Sequence, residues 1–275
     1  MKNYLNNKVT SALSAAAFIC LGLQSTRAAF IPITQVNYFQ NFDSLAKSGK
    51  SKTLPPGWSM FEYGDSDSQY VADNGSLKAG GMYSYGANGS TDRALGSLRQ
   101  GGGDGPQSGN FGVFGANFQN TSGGAITRLN VSYTGEEWRL GATGRGQDRL
   151  QFQYSLNASS LTSGTWINAP SLDFLTPNLT GVGAHDGNLA VNQTQIAGSI
   201  GFLNIPVGGT FWVRWVDGNL PGHESEDGLA IDNFSITAVP ETSTLAAGFG
   251  MSLLLSYVLL KHGAFRRPKV AARRT

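Results

Sequence analysis

Through the middle of the chain, apolar and polar residues alternate with a period of two. Leu129, Val131 and Tyr133 alternate with Asn130, Ser132 and Thr134; Leu150, Phe152, Tyr154 and Leu156 alternate with Gln151, Gln153 and Ser155. Side chains of a strand point alternately to its two faces, so each run predicts a strand with one buried and one wetted face. Phe211-Trp212-Val213-Arg214-Trp215-Val216 is apolar on both parities except at Arg214 and predicts a central strand. Gly112-Val113-Phe114 and Thr165-Trp166-Ile167 are shorter candidates. Between the runs lie turn-forming clusters: Asp73-Asn74-Gly75, Ala87-Asn88-Gly89, Ser122-Gly123-Gly124, Asp186-Gly187-Asn188 and Val207-Gly208-Gly209. Many short strands joined by such turns predict an all-β, antiparallel β-sandwich. Near the end of the region the alternation slips. Leu229 and Ile231 share one parity, Phe234 and Ile236 the other, so a β-bulge at Asp232-Asn233 is expected. Gly101 to Pro106 reads as a surface loop, and no repeat of constant period is visible.

Two apolar runs are of a different kind. Lys2 and Lys8 precede an apolar stretch from Ala12 to Leu23, and Thr26-Arg27-Ala28 offers small residues for cleavage after Ala28. Residues 1–28 therefore read as a signal peptide. Cys20 lies inside the apolar stretch without the small residues that precede a lipidated cysteine, so no lipid anchor is expected. At the other end, Leu245 to Leu260 would rise ~24 Å as a helix, somewhat less than a hydrocarbon core of ~30 Å. Lys261 can snorkel to make up part of the difference. Lys261, Arg266, Arg267, Lys269, Arg273 and Arg274 follow. By the positive-inside rule the C-terminus stays in the cytoplasm and the bulk of the chain lies outside. The expected organisation is a signal peptide at 1–28, a sandwich at 29–238, and a C-terminal segment at 239–275.

Val239-Pro240-Glu241-Thr242-Ser243-Thr244, the span at 245–260 and the basic tail at 261–275 together resemble a PEP-CTERM sorting signal. This chain carries Thr242 where the usual form has a second proline. The resemblance implies a bacterial protein handled by the export machinery and then by exosortase, a membrane protease. The span would be transient, and the mature domain would pass to the cell surface or extracellular matrix. A plain single-span anchor is the alternative.

Removing the two ends changes the charge. The whole chain has 20 Lys and Arg against 18 Asp and Glu, a net of +2. All the acidic residues fall in 29–241, together with 11 of the basic ones, which leaves that region at −7. A nucleic-acid surface should be basic, so no nucleic acid is expected as a partner. The only cysteine is Cys20, so burial rather than disulfides must hold the exported domain.

Five segments of this region are also familiar: Asn41-Phe42-Asp43-Ser44-Leu45, Leu54-Pro55-Pro56-Gly57-Trp58, Ser90 to Gly96, Tyr133 to Arg139, and Asp227 to Phe234. In that order they resemble an exported bacterial module found alone before sorting signals, and also in multidomain proteins that include extracellular nucleases. The resemblance runs from about Phe39 to Thr237 and implies a jelly-roll fold. It supplies neither ligand nor activity.

The stretch from Asp217 to Asp232 holds the densest set of oxygen ligands. Calcium takes six to eight oxygens, and Asp217, Glu226, Asp227 and Asp232 are its candidate ligands, with Asp43 approaching from near the first strand. His223 and Glu224 lie in the same stretch, and a solvated acidic loop is the competing reading. Asp65 and Asp67 read as turn residues. Glu136 and Glu137 are adjacent and so point to opposite faces of a strand, which prevents them from flanking one glycosidic bond together. An ion pair of one of them with Arg139, Arg93 or Arg149 is expected instead. His185 and Asp186 have no Gly-x-Ser-x-Gly elbow to complete a triad. Tyr83 and Tyr85, in a Gly-rich stretch, are expected to be exposed, whereas Trp215 is expected in the core. No catalytic residue is assigned. The leading expectation is a non-enzymatic structural or adhesive surface protein. A carbohydrate-binding module, with exopolysaccharide as partner and calcium as a candidate ion, is the alternative, and a divergent hydrolase the third reading.

Overall fold

A computed structural model describes residues 30–34, 36–64, 68–100, 111–217 and 225–241. The expected signal peptide, residues 101–106, Asp65, Asp67, His223, Glu224 and everything beyond Glu241 lie outside the described residues. The expected sorting residues Thr242 to Thr244, the apolar run and the basic tail are therefore outside them too.

In chain order the strands are β1 (Ile31–Ile33), β2 (Tyr38–Gln40), β3 (Lys50–Ser51), β4 (Trp58–Tyr63), β5 (Tyr70–Asp73) and β6 (Gly81–Tyr85). There follow β7 (Ala94–Gln100), β8 (Phe111–Asn120), β9 (Ile126–Leu140), β10 (Arg149–Ser155), β11 (Ile167–Asn168) and β12 (Phe174–Leu175). The last four are β13 (Gly183–Ala184), β14 (Gln193–Ile200), β15 (Thr210–Asp217) and β16 (Ser225–Pro240). Two 3-10 turns, Pro170–Leu172 and Ala190–Asn192, are the only helical pieces among the described residues.

The strands form two sheets. The first runs β1–β8–β15–β10–β11, with β4 beside β1 on the same edge of β8 and β12 beside β11 on β10. The second runs β13–β9–β16–β7–β6–β5–β3, with β14 on the outer edge of β9 and β2 beside β7 on β16. Most pairs are antiparallel, as expected. The exceptions, β1 on β8 and β5 on β6, correct the purely antiparallel expectation. Both parallel pairs lie towards the sheet edges, where a short strand docks beside one already satisfied on its other side.

Between the sheets lies one aromatic core centred on Trp215, which is fully buried. Its ring stacks on Trp58 at 6.0 Å and Phe114 at 5.8 Å. Tyr133, Phe152 and Phe234 meet it edge-on at 5.1–5.4 Å. Such offset and edge-on geometries are those the ring quadrupole favours. Arg214, the one polar break in β15, faces away from this core. Its guanidinium lies 3.8 Å from the Trp166 ring, its Nε donates to Gln153 Oε1 at 2.7 Å, and Nη1 donates to the Leu161 carbonyl.

The parity slip in β16 is a bulge. Asp232 pairs with Thr134 and Ser235 with Ser132, so β16 carries one extra residue there, and Asn233 adopts φ 51°. Asparagine tolerates this left-handed conformation better than other non-glycine residues. Leu229, Ile231, Phe234 and Ile236 consequently all reach the core. A second irregularity lies in β9, where Gly228 pairs with Arg139 but Leu229 with Glu137, leaving Trp138 as the extra residue.

Tyr83 and Tyr85 are not exposed. They lie almost completely buried on the far side of the second sheet with Ala94, Leu98, Trp138 and Ala230. Their rings stack at 4.9 Å, and Tyr85 stacks on Trp138 at 6.0 Å. The physical reason is local. Small residues opposite them in the neighbouring strands, Gly96 and Ala230, leave a floor on which flat rings can lie.

Candidate functional site

The outer face of the second sheet carries an open trough lined by short side chains. Pairing places Ala197, Ser132, Ser235 and Phe39 in one row across β14, β9, β16 and β2. Ser199, Asn130 and Thr237 form the next. Because these side chains are short, the face sinks into a trough of about 450 Å³. Phe39 stands at its edge with 55% of its surface exposed. The hydroxyls are held in position. Ser199 donates to Asn130 Oδ1 at 2.8 Å, and Ser235 and Thr237 both donate to Asn37 Oδ1, at 2.6 and 2.9 Å. One row further along, Gln195 donates to Thr134 Oγ1 at 2.7 Å beside Asp232.

The polar stripe then passes under cover and ends at two buried carboxyls, Glu136 and Asp232. Burial raises Glu136 to about 7, opposed by the Trp138 indole, which donates to its Oε2 at 2.9 Å. Burial also raises Asp232, to about 8, and the nearby charges of Glu136, Asp92 and Asp43 add to the effect. Asp43 accepts from Asn41 Nδ2 at 2.6 Å and from the Arg93 amide at 3.3 Å.

At the far end of the sheets lies a second charged cluster. Asp227 accepts from the Gly141 amide at 2.7 Å and Thr176 Oγ1 at 2.6 Å, and it pairs with Arg145. Glu226 meets the same guanidinium at 3.1 Å. Asp148 accepts from the Asp227 amide at 2.9 Å, and Asp217 accepts from Ser97 Oγ at 2.8 Å. Burial raises Asp217 to about 8, and it raises Asp148 well above the carboxylate range, with its three acidic neighbours adding to the shift. Beside the cluster opens a cleft of about 270 Å³ lined by Lys78, Arg99, Arg139 and Glu226.

The five candidate calcium ligands thus fall in two places. Asp217, Glu226 and Asp227 share the far cluster with Asp148, and Asp43 and Asp232 share the other with Glu136 and Asp92. Asp227 and Asp232 are five strand positions apart, roughly 16 Å. Among the described residues, no group of three or more His, Cys, Asp or Glu side chains is arranged to hold a metal ion. Glu136 and Glu137 do separate to opposite faces, but the expected arginine partners do not meet them. Glu137 instead accepts from the Asn178 amide at 3.0 Å and lies 3.0 Å from His185 Nδ1, and burial raises it to about 8. The other ring nitrogen of His185, Nε2, lies 2.7 Å from the Gly181 carbonyl, so its two nitrogens face Glu137 and Gly181 rather than a serine, and Asp186 accepts from the Asn188 amide.

Sequence reasoning did not single out Asn37, Phe39, Asp148, Arg145 or Thr176. Period two marks Asn130, Ser132 and Thr134 as a wetted face, but it does not tell which strands lie beside them.

No protein-family model matches the chain, and no curated protein matches it. Among solved structures it is similar to the K1 cleaved adhesin domain of Lys-gingipain from Porphyromonas gingivalis W83, with TM-score 0.40 and 11% identity over 74% of this chain and 99% of that one. It is also similar to the N-terminal cellulose-binding domain of Cellulomonas fimi β-1,4-glucanase C, with TM-score 0.32 and 12% identity over 72% and 100%. A third is TmCBM61 in complex with β-1,4-galactotriose, with TM-score 0.32 and 10% identity over 66% and 88%.

Proposed function

We propose that this chain is an exported surface or matrix protein whose jelly-roll-like sandwich binds polysaccharide along the trough of the second sheet. The observation that carries the reading is the trough itself. It is an open row of pre-positioned hydroxyl and amide groups ending at an exposed aromatic ring. A sugar ring presents hydroxyls at its rim and C–H bonds on its face, and Ser132, Ser199, Ser235, Asn130 and Phe39 offer the complementary groups. The far cluster and the Glu136–Asp232 pair are buried and serve the fold in this reading. The PEP-CTERM-like segment would deliver the domain, with exosortase and the export machinery as transient partners.

The test is a glycan panel titrated against the full chain and two variants. Phe39→Ala should weaken binding by about tenfold, the value of one lost stacking contact of ~1–1.5 kcal/mol. Ala197→Trp, which fills the trough from an exposed position, should abolish it. A panel with no ligand, or a ligand indifferent to Ala197→Trp, would remove the reading.

A further inference from the structure

The chain leaves the sandwich at one end, and that end is unlike the rest of the molecule. The last described residue, Glu241, is fixed by a bond from its amide to the Ala125 carbonyl at 2.7 Å. Three loops converge around it. Thr121 donates its amide to the Ile33 carbonyl, Gly208 donates to Asn120, and Ile126 and Ile205 exchange backbone hydrogen bonds at 2.9 and 3.1 Å. On these loops three large apolar side chains face solvent: Val36 at 75%, Phe202 at 109% and Val207 at 60% exposure.

Phe202 is the most informative of the three. Its φ of 56° is a conformation that bulky residues rarely adopt and that costs about 1–3 kcal/mol. The residue after it is buried and pinned, since the Leu203 amide donates to the Thr127 carbonyl at 3.0 Å. Burying Leu203 therefore turns the ring of Phe202 outward, where in water it gains nothing.

Charge is also distributed unevenly. Within 30–37, 118–128, 200–210 and 236–241, the described segments that build this end, the charged residues are Arg128 and Glu241. The buried carboxyl clusters lie elsewhere.

We propose that the end bearing Val36, Phe202 and Val207 rests in the headgroup layer of the membrane that holds the chain's own C-terminal apolar run. The inference rests on the reading of 245–260 as a span. Only Thr242, Ser243 and Thr244 separate Glu241 from that run. Four residue steps extend at most ~14 Å, so a spanning run keeps this end of the sandwich at the bilayer surface. There the exposed apolar side chains enter the acyl boundary and Arg128 meets lipid phosphates, while the acidic remainder stays away from an anionic surface.

The test uses the full chain, with Cys20→Ser, inserted into phosphatidylcholine–phosphatidylglycerol vesicles. An environment-sensitive fluorophore is attached at Phe202→Cys, at Val207→Cys, and at Leu175→Cys beside the far cluster. The expected result is a blue shift, with quenching by lipids spin-labelled near the headgroup, at 202 and 207 but not at 175. Co-flotation with vesicles, resistant to alkaline carbonate, reports the anchor separately. A chain that floats while 202 and 207 stay unquenched overturns this inference and leaves the anchor standing. A blue shift without quenching means that a second protein copy covers the end, which also overturns it. A chain that does not float removes the anchor reading and the inference with it.

Discussion

At the scale of single residues, the buried carboxyls set the pH response. Glu136, Glu137, Asp217 and Asp232 are all raised, to about 7 or 8, chiefly by burial. In the unfolded chain they titrate near 4. Between those values the folded state holds protons that the unfolded state has released, so stability falls as pH rises. The penalty is absent below about pH 4, grows through the window from 4 to 8, and is complete above it. Urea unfolding should therefore give a higher midpoint at pH 5 than at pH 8. Asp232→Asn should flatten the dependence, because it removes one of the titrating groups. The core makes a different demand at Trp215, whose ring packs against Trp58, Phe114, Tyr133, Phe152 and Phe234. Trp215→Ala should cost about 3–5 kcal/mol, read as a lowered urea midpoint.

At the scale of the element, β16 shows what the sequence could and could not convey. Its bulge was legible because Leu229, Ile231, Phe234 and Ile236 cannot share a face without an extra residue. The core role of Trp215 was legible because both parities of β15 are apolar. The burial of Tyr83 and Tyr85 was not, since it depends on Gly96 and Ala230 in strands that are adjacent in space and distant in sequence. The calcium candidates failed to converge for a related reason: nearness along β16 spreads Asp227 and Asp232 apart, because a strand is extended. The trough shows the same limit, as its rows combine residues from β2, β9, β14 and β16. β16 also runs beyond the domain end expected at residue 238. Val239 pairs with Arg128 and Pro240 with Ile126, so the first half of the expected sorting motif lies inside the sheet. A protease needs an extended, unpaired segment, and peeling these residues would expose Ala238 and its buried neighbours. If the segment is processed as proposed, cleavage of the folded protein should therefore fall after Glu241. Mass spectrometry of the mature C-terminus should find Val239 and Pro240 retained. A terminus at or before Val239 would mean that the strand opens during processing, and one that retains Leu245 to Leu260 would mark an ordinary anchor.

At the scale of the molecule, net charge decides which polysaccharides can approach the trough. Residues 29–241 carry −7, and Asp232 and Glu136 lie at the covered end of the stripe that contains the trough. Arg128, two strand positions beyond Asn130 and so on the same face, is the nearby basic residue in β9. A uronate-rich chain laid across the rows would meet the field of the whole domain as well as these local groups, whereas a neutral glycan would meet only the hydroxyls, amides and Phe39. The Debye length is ~10 Å at 0.1 M salt, comparable to the spacing involved, so screening removes most of the difference as salt rises. Neutral polysaccharides should bind more tightly than anionic ones of the same backbone at low salt, and the gap should narrow at 0.5 M, where neutral binding stays nearly constant. The comparison is best made at pH 9, above the raised values of both Glu136 and Asp232, where the two are largely ionised and the repulsion is stronger than at neutral pH. Preference for the anionic chain at low salt would instead place the ligand at the far cleft of Lys78, Arg99 and Arg139. Substituting Lys78→Ala and Ala197→Trp in separate variants then tells the two surfaces apart.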